Sequence, residues 1–345
     1  MTITIPPTCI LGTRHRKAVS SEDDSRRPLW QRRDHLIEPL RSGWDIGELV
    51  DNLLRQGFTS VHLVGDSVSI QMGHFLSCDA IRSRGVSVEE AEFEGAKPKH
   101  HQCRNMYLND RKGGCDTIVR PGVGKLTVTS ARWELKCFGS KCLDLQKGVR
   151  KDVVKQILST LRRQGVNRQR LLVIFNYGLH FSKPRHKLYP ELESFREDVI
   201  AGLASGLVEV ASKLKARNNS QLVFRETSSQ HFTWTPDGSY TLPFTQHRDR
   251  VPHPPYCSKA KVPLTEYPTD ASLRRHLAQN VSRTGHVVWQ EFYKLSQLAV
   301  NLHTEMKKSD FDDGFHVDCT HYIYVPFYFS GLVFRSLATL LHRMF

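Results

Sequence analysis

The stretch Val61-His62-Leu63-Val64-Gly65-Asp66-Ser67-Val68-Ser69-Ile70-Gln71 decides how the chain reads. Val61 to Val64 are mostly the residue types that a central strand buries on both faces, and the run stops at a Gly-Asp-Ser turn. Gly65 permits a tight backbone path, after which a helix is expected to start near Val68. Ligand and catalytic sites of open α/β sheets lie at such strand ends. A serine held there, beside the amides of a helix N-terminus, is placed for nucleophilic attack on an acyl carbon. The tripeptide alone is equally an ordinary strand-to-helix turn, so the reading depends on partners for Ser67 elsewhere.

Such partners lie at the far end, where Asp313-Gly-Phe-His316-Val-Asp318-Cys-Thr-His321 contains two Asp-x-x-His units. A serine needs a base to remove its proton, and the base needs a third group to fix its tautomer. Spacing i,i+3 on a turn or helix start lets one carboxylate orient one imidazole, and the chain order Ser, Asp, His fits a triad. The same spacing also suits a metal-ligand pair or a solvated loop.

Leu171 to Phe175 reads as a second buried strand, ending at Asn176-Tyr177-Gly178. A side-chain amide at Asn176 can donate to a developing oxyanion beside the Ser67 N–H, an effect on the order of 3–4 kcal/mol; an asparagine in a turn is the plainer use. Gly122 and Gly124 are candidates for a further N–H donor. Leu222 to Phe224 forms a third strand leading into Arg225 and His231, the latter either a substrate-binding group or one that satisfies loop carbonyls.

Between these strands, helical spacing recurs from Ile46 to Leu54 with Gly57 after it, and from Phe75 to Ala80 with Gly85 as the stop. Val153 to Leu161 carries a core stripe, and Pro190 to Ala216 predicts a long amphipathic helix. Ala271 to Leu277 suggests a short helix, and Leu295 to Leu302 one more. Weaker strands are expected around Val86, Val88 and Phe93, at Leu126 to Val128, at Trp133 to Leu135 and at Val287 to Trp289. Lys97 to Gly124 reads as a loop lobe, and its His100, His101, Cys103 and Cys115 have no established zinc spacing, so no metal is expected. Phe232 to Thr269 carries seven prolines and is long enough to be functional; Trp234, Tyr240 and Tyr256 in it could stack on sugar faces.

Strands alternating with helices indicate an α/β three-layer sandwich with a mostly parallel sheet. The 345 residues, 39% of them hydrophobic, suit one catalytic domain over 42–345, with 1–41 a polar tail that lacks the apolar core of a signal peptide and 232–269 an irregular loop lobe. Tyr322 to Leu341 is apolar, but Pro326, Gly331 and Arg335 interrupt it, so it reads as a last core helix. The net charge of +14 favours acidic partners. Its lysines and arginines are scattered, with no aromatic RNA-binding signature, which argues against nucleic acid. Two acceptor sequons, Asn218-Asn-Ser220 and Asn280-Val-Ser282, matter only in a secretory compartment.

Taken in order, Gly65-Asp66-Ser67-Val68, Asn176-Tyr-Gly178-Leu-His180, Phe224-Arg225-Glu-Thr-Ser228-Ser-Gln-His231-Phe232 and Asp318-Cys-Thr-His321-Tyr322 resemble the blocks of the trichome birefringence-like and PC-esterase proteins, which are SGNH (GDSL-like) acyl enzymes. The resemblance spans about residues 45 to 340. It implies an SGNH-hydrolase-like fold and O-acetylation of a polysaccharide, with Ser67 as nucleophile, His321 as base, Asp318 as its orienter and Asn176 and Ser67 as oxyanion donors. It implies Arg225 and His231 near substrate, where Trp234 is a further candidate by analogy with carbohydrate sites, no bound cofactor, an acetyl donor with acetyl-CoA as one candidate, a glycan acceptor and the Golgi lumen. Two departures stand out. Ile70-Gln71 replaces the Arg-Asn that usually follows the GDS block, and Ile323 replaces a cysteine after the last block, leaving Cys78 as a candidate partner for Cys319 or another cysteine. Asp313-Gly-Phe-His316 resembles the form in other PC-esterase relatives and is the alternative acid/base pair.

Overall fold

The computed structural model describes residues 46–83, 85–90, 114–133, 144–163, 170–177, 192–217, 219–231, 257, 261, 264–280, 287–297, 307–308, 315–316, 336–337 and 340–341. The fold starts with α1 (Ile46–Arg55), whose apolar stripe Ile46, Leu49, Val50 and Leu53 is buried. Gly57, at φ +79°, ends the turn after it, in a conformation that residues with a Cβ disfavour. Then come β1 (Ser60–Gly65) and α2 (Ser67–Arg82). Every residue of β1 is buried, as a strand with neighbours on both edges and helices on both faces requires.

After α2 the chain forms β2 (Ser87–Glu90), β3 (Gly114–Arg120) and β4 (Gly124–Arg132), an antiparallel run at one side of the sheet. It continues through α3 (Leu145–Arg163), β5 (Leu171–Phe175), α4 (Leu192–Ala216) and β6 (Gln221–Arg225) to α5 (Pro268–Asn280), β7 (Val288–Gln290) and α6 (Tyr293–Gln297). The strand order is β2-β3-β4-β1-β5-β6-β7, with parallel pairing from β4 through to β7. This is an α/β fold with a seven-stranded, mostly parallel mixed sheet, compatible with a three-layer sandwich.

Side-chain alternation along the strands builds two cores. Leu172, Ile174 and Val223 face α1 and α2, while Leu171, Val173, Phe175, Leu222 and Phe224 face α3, α4 and α5. Leu337 and Leu341, both helical, join the first core, and no helix among the described residues is long and apolar enough to cross a membrane.

One expectation is corrected here. The span read as a loop lobe contains β3, paired along its length with β4. The strand sequence Gly114-Cys-Asp-Thr-Ile-Val-Arg120 carries no apolar alternation that announces it; its partner supplies the order. Trp133, expected within a strand, follows the end of β4. An unanticipated antiparallel pair joins β8 (Lys307–Lys308) to β9 (Phe315–His316). The polar tail and most of the proline-rich segment lie outside the described residues.

Candidate active site at the end of strand β1

β1 and β5 are neighbours, yet α2 leaves β1 on one face of the sheet and α4 follows β5 on the other. Such a reversal opens a crevice at the carboxyl ends of the two strands. Gly65-Asp66-Ser67 lies at one lip and Asn176 at the other, joined by Asn176 N–H donating to Val64 O at 3.0 Å. Gly65 is required by this approach rather than by its φ: a Cβ there would stand 2.2 Å from Asn176 O and 2.5 Å from Ser69 Oγ.

Ser67 is the first residue of α2 and is partly exposed amid buried neighbours. Asp66 is the N-cap, its Oδ1 accepting from Val68 N at 3.0 Å and Ser69 N at 3.1 Å. The cap satisfies the second and third amides of the helix and brings a negative charge to its positive end. Ser69 Oγ reaches the same oxygen at 3.4 Å and accepts from Arg225 Nη2 at 3.1 Å. Arg225 Nη2 itself stands 3.9 Å from Asp66 Oδ1, and the guanidinium lies over Phe292 at 5.0 Å.

The structure turns Arg225 inward. Its side chain is 1% exposed, and it braces the Gly65-Asp66-Ser67 turn from β6. His231 is likewise 1% exposed; burial pulls its pKa down to about 4, against a hydrogen bond to the Gln297 main chain, so it is neutral and enclosed. Trp234 lies outside the described residues.

Asn176 is fully buried. Its Nδ2 donates to Arg225 O at 2.8 Å and approaches Thr227 Oγ1 at 3.4 Å, while its Oδ1 has no partner among the described residues. Donation to an oxyanion therefore requires the amide to release one of these two contacts. Gly122 and Gly124 are placed elsewhere. They turn the chain at the start of β4, whose Thr127 pairs with Ser60 at the start of β1, so they sit at the end of the strands opposite Ser67.

Asp318, His321 and Asp313 lie outside the described residues, and of His316 only its place in β9 is described. Two acidic residues not apparent from the motifs, Glu226 and Asp270, pack behind the end of β6. Glu226 accepts from Arg274, from Trp289 Nε1 and from the amides of Phe292 and Tyr293 at the start of α6. Asp270 accepts from Thr227 N at 2.6 Å and Thr227 Oγ1 at 2.9 Å. Glu226 and Thr227, polar residues directly after a buried strand, are the signal in the sequence, whereas Asp270 lies 43 positions beyond Thr227 and carries none. Among the described residues no group of three or more metal-ligating side chains occurs. Cys78 on α2 is disulfide-bonded, and so is Cys257.

No family model matches the chain, and neither does any curated protein.

Proposed function

We propose that the protein is a serine-dependent acyl enzyme of SGNH type, an O-acetyltransferase that modifies a glycan through an acyl-Ser67 intermediate. The observation that carries this reading is the partly exposed Ser67 at the first position of α2, at the crevice between β1 and β5. In the proposed cycle Ser67 Oγ attacks the acyl carbonyl and its proton passes to His321, oriented by Asp318. The tetrahedral oxyanion collapses with loss of the donor group, which takes the proton. A sugar hydroxyl then attacks the acyl-serine and regenerates Ser67. Water in place of the sugar makes the same site an acetyl-esterase, the outcome set by which acceptor reaches the acyl group first. Disulfide-bonded Cys78 and Cys257 support an oxidising compartment such as the Golgi lumen.

A fluorophosphonate probe tests the reading. The folded protein is expected to label at Ser67 and Ser67→Ala is expected not to; absence of labelling on folded protein rejects the serine mechanism. Under the same assignment His321→Ala abolishes labelling and His316→Ala does not, and the reverse ranking moves the base to His316 with Asp313 as its partner. One observation favours a second reading, a carbohydrate-binding protein without chemistry: both contacts of the Asn176 amide nitrogen are internal. That reading expects glycan retention with no labelled serine.

A further inference from the structure

Thr227 leaves β6 fully buried, between Asn176 at the end of β5 and Asp270 in the first turn of α5. The hydrogen bonds among these three have a fixed direction. Arg225 O can only accept, so it holds the amide nitrogen of Asn176, at 2.8 Å, on the side facing β6. Thr227 Oγ1, 3.4 Å from that nitrogen, must then accept from it, and its single hydrogen goes to Asp270 Oδ1 at 2.9 Å. Asp270 Oδ2 takes the Thr227 N–H at 2.6 Å. With both oxygens accepting, the arrangement calls for the carboxylate form.

The charges around Asp270 are few among the described residues. Glu226 opposes its ionisation and Arg225 favours it. On its own helix, Arg274 is taken by Glu226 and Glu266, and Ser272 and His276 by Glu197 of α4. Desolvation dominates and pushes Asp270 up to about 7.

We propose that Thr227 and Asp270 are positioning residues for the Ser67 chemistry, an ionised Asp270 orienting Thr227 so that Thr227 holds the Asn176 amide at the lip of the crevice. The inference rests on the serine reading above. When Asp270 takes up a proton, that proton sits on Oδ1, because Oδ2 faces an N–H. The carboxyl then donates to Thr227 Oγ1, whose own hydrogen loses its acceptor, so the hydroxyl is no longer held in the orientation that receives the Asn176 amide. Acylation is thus set to weaken on acidification.

The test follows the rate of fluorophosphonate labelling at Ser67 from about pH 5.5 to about pH 9, with thermal melts of each variant. Wild type is expected to lose rate on acidification with a midpoint near 7. Asp270→Asn, which places a permanent donor against Thr227, should label about tenfold more slowly or worse at the alkaline plateau, with its midpoint moved to that of the base alone. Thr227→Val, which keeps the volume and loses the hydroxyl, should be slowed similarly, and Thr227→Ser should recover most of that loss. A purely structural role would lower the melting temperatures and leave rate and midpoint in place, and that result overturns the proposal. If Asp270→Asn does not fold, the Thr227→Val and Thr227→Ser pair decides. Labelled wild type with indifferent variants overturns the relay alone; folded wild type that never labels overturns the serine reading and the relay with it.

Discussion

Arg225 shows how far a residue's role departs from what its type announces. An arginine after an apolar strand reads as an exposed cation waiting for a ligand, yet here it is enclosed between Asp66, Ser69 and Phe292. The pairing is non-local, 156 positions along the chain from Ser69 to Arg225, so no local pattern carries it. Burying both members of an ion pair is costly, and removing one leaves an uncompensated charge. Arg225→Ala is therefore expected to destabilise the protein by about 3–5 kcal/mol in denaturant melts. A substrate-binding arginine would instead leave stability unchanged and raise KM. Asp66, legible only as part of a turn, becomes the cap of α2 for the same reason: its value depends on the helix that follows and the cation behind it.

At the scale of elements, the apolar run of β5 and the heptad-like stripe of α3 were readable because each reports its own burial. The way α3 meets α4 was not. Gly202 and Gly206, one turn apart on α4, let α3 approach so closely that a Cβ at Gly202 would stand 2.6 Å from Gln146 O and one at Gly206 3.0 Å from Val153 Cβ. A glycine inside a helix reads as a weak point, whereas this pair is where two helices interlock. Gly202→Val is expected to cost about 1–3 kcal/mol through overpacking, measured by chemical denaturation, while a valine on the exposed face of α4 would cost far less. β3 failed to show itself for the converse reason. A strand whose partner supplies its order needs little apolar signal of its own, and its opening Gly114-Cys115-Asp116 reads as loop.

Across the whole molecule, buried ionisable groups set how stability responds to pH. Burial holds His62 down to about 3 and His231 down to about 4, from the ordinary 6.5. Unfolding lets each take up a proton below 6.5, so the stability from their neutral burial is present above that pH and is lost as pH falls through their folded values. Asp270, raised from 3.8 to about 7, works in the opposite sense: its contribution is present below 3.8 and is lost as pH rises through about 7. Between about 4 and 6.5 two histidines oppose one aspartate, and these three groups together make stability rise with pH. The double variant His62→Gln, His231→Gln is expected to flatten or reverse that slope in denaturant melts at about pH 4.5 and pH 6.5. An unchanged slope would place the acid sensitivity in other groups.

The alternation of strands and helices, the burial of β1, β5 and β6 and the turn at Gly65-Asp66-Ser67 are legible along the chain, because apolar runs, helical stripes and turn residues act within a few positions of one another. That β1 and β5 are neighbours, that Arg225 points inward, that Gly122 and Gly124 fall at the opposite end of the strands, and that Asn176, Thr227 and Asp270 form one chain of hydrogen bonds emerge from the folded chain alone. Hydrophobic patterning states that a residue is buried. Which groups it is buried against follows from strand order and register, and those are fixed by contacts between segments far apart in the chain.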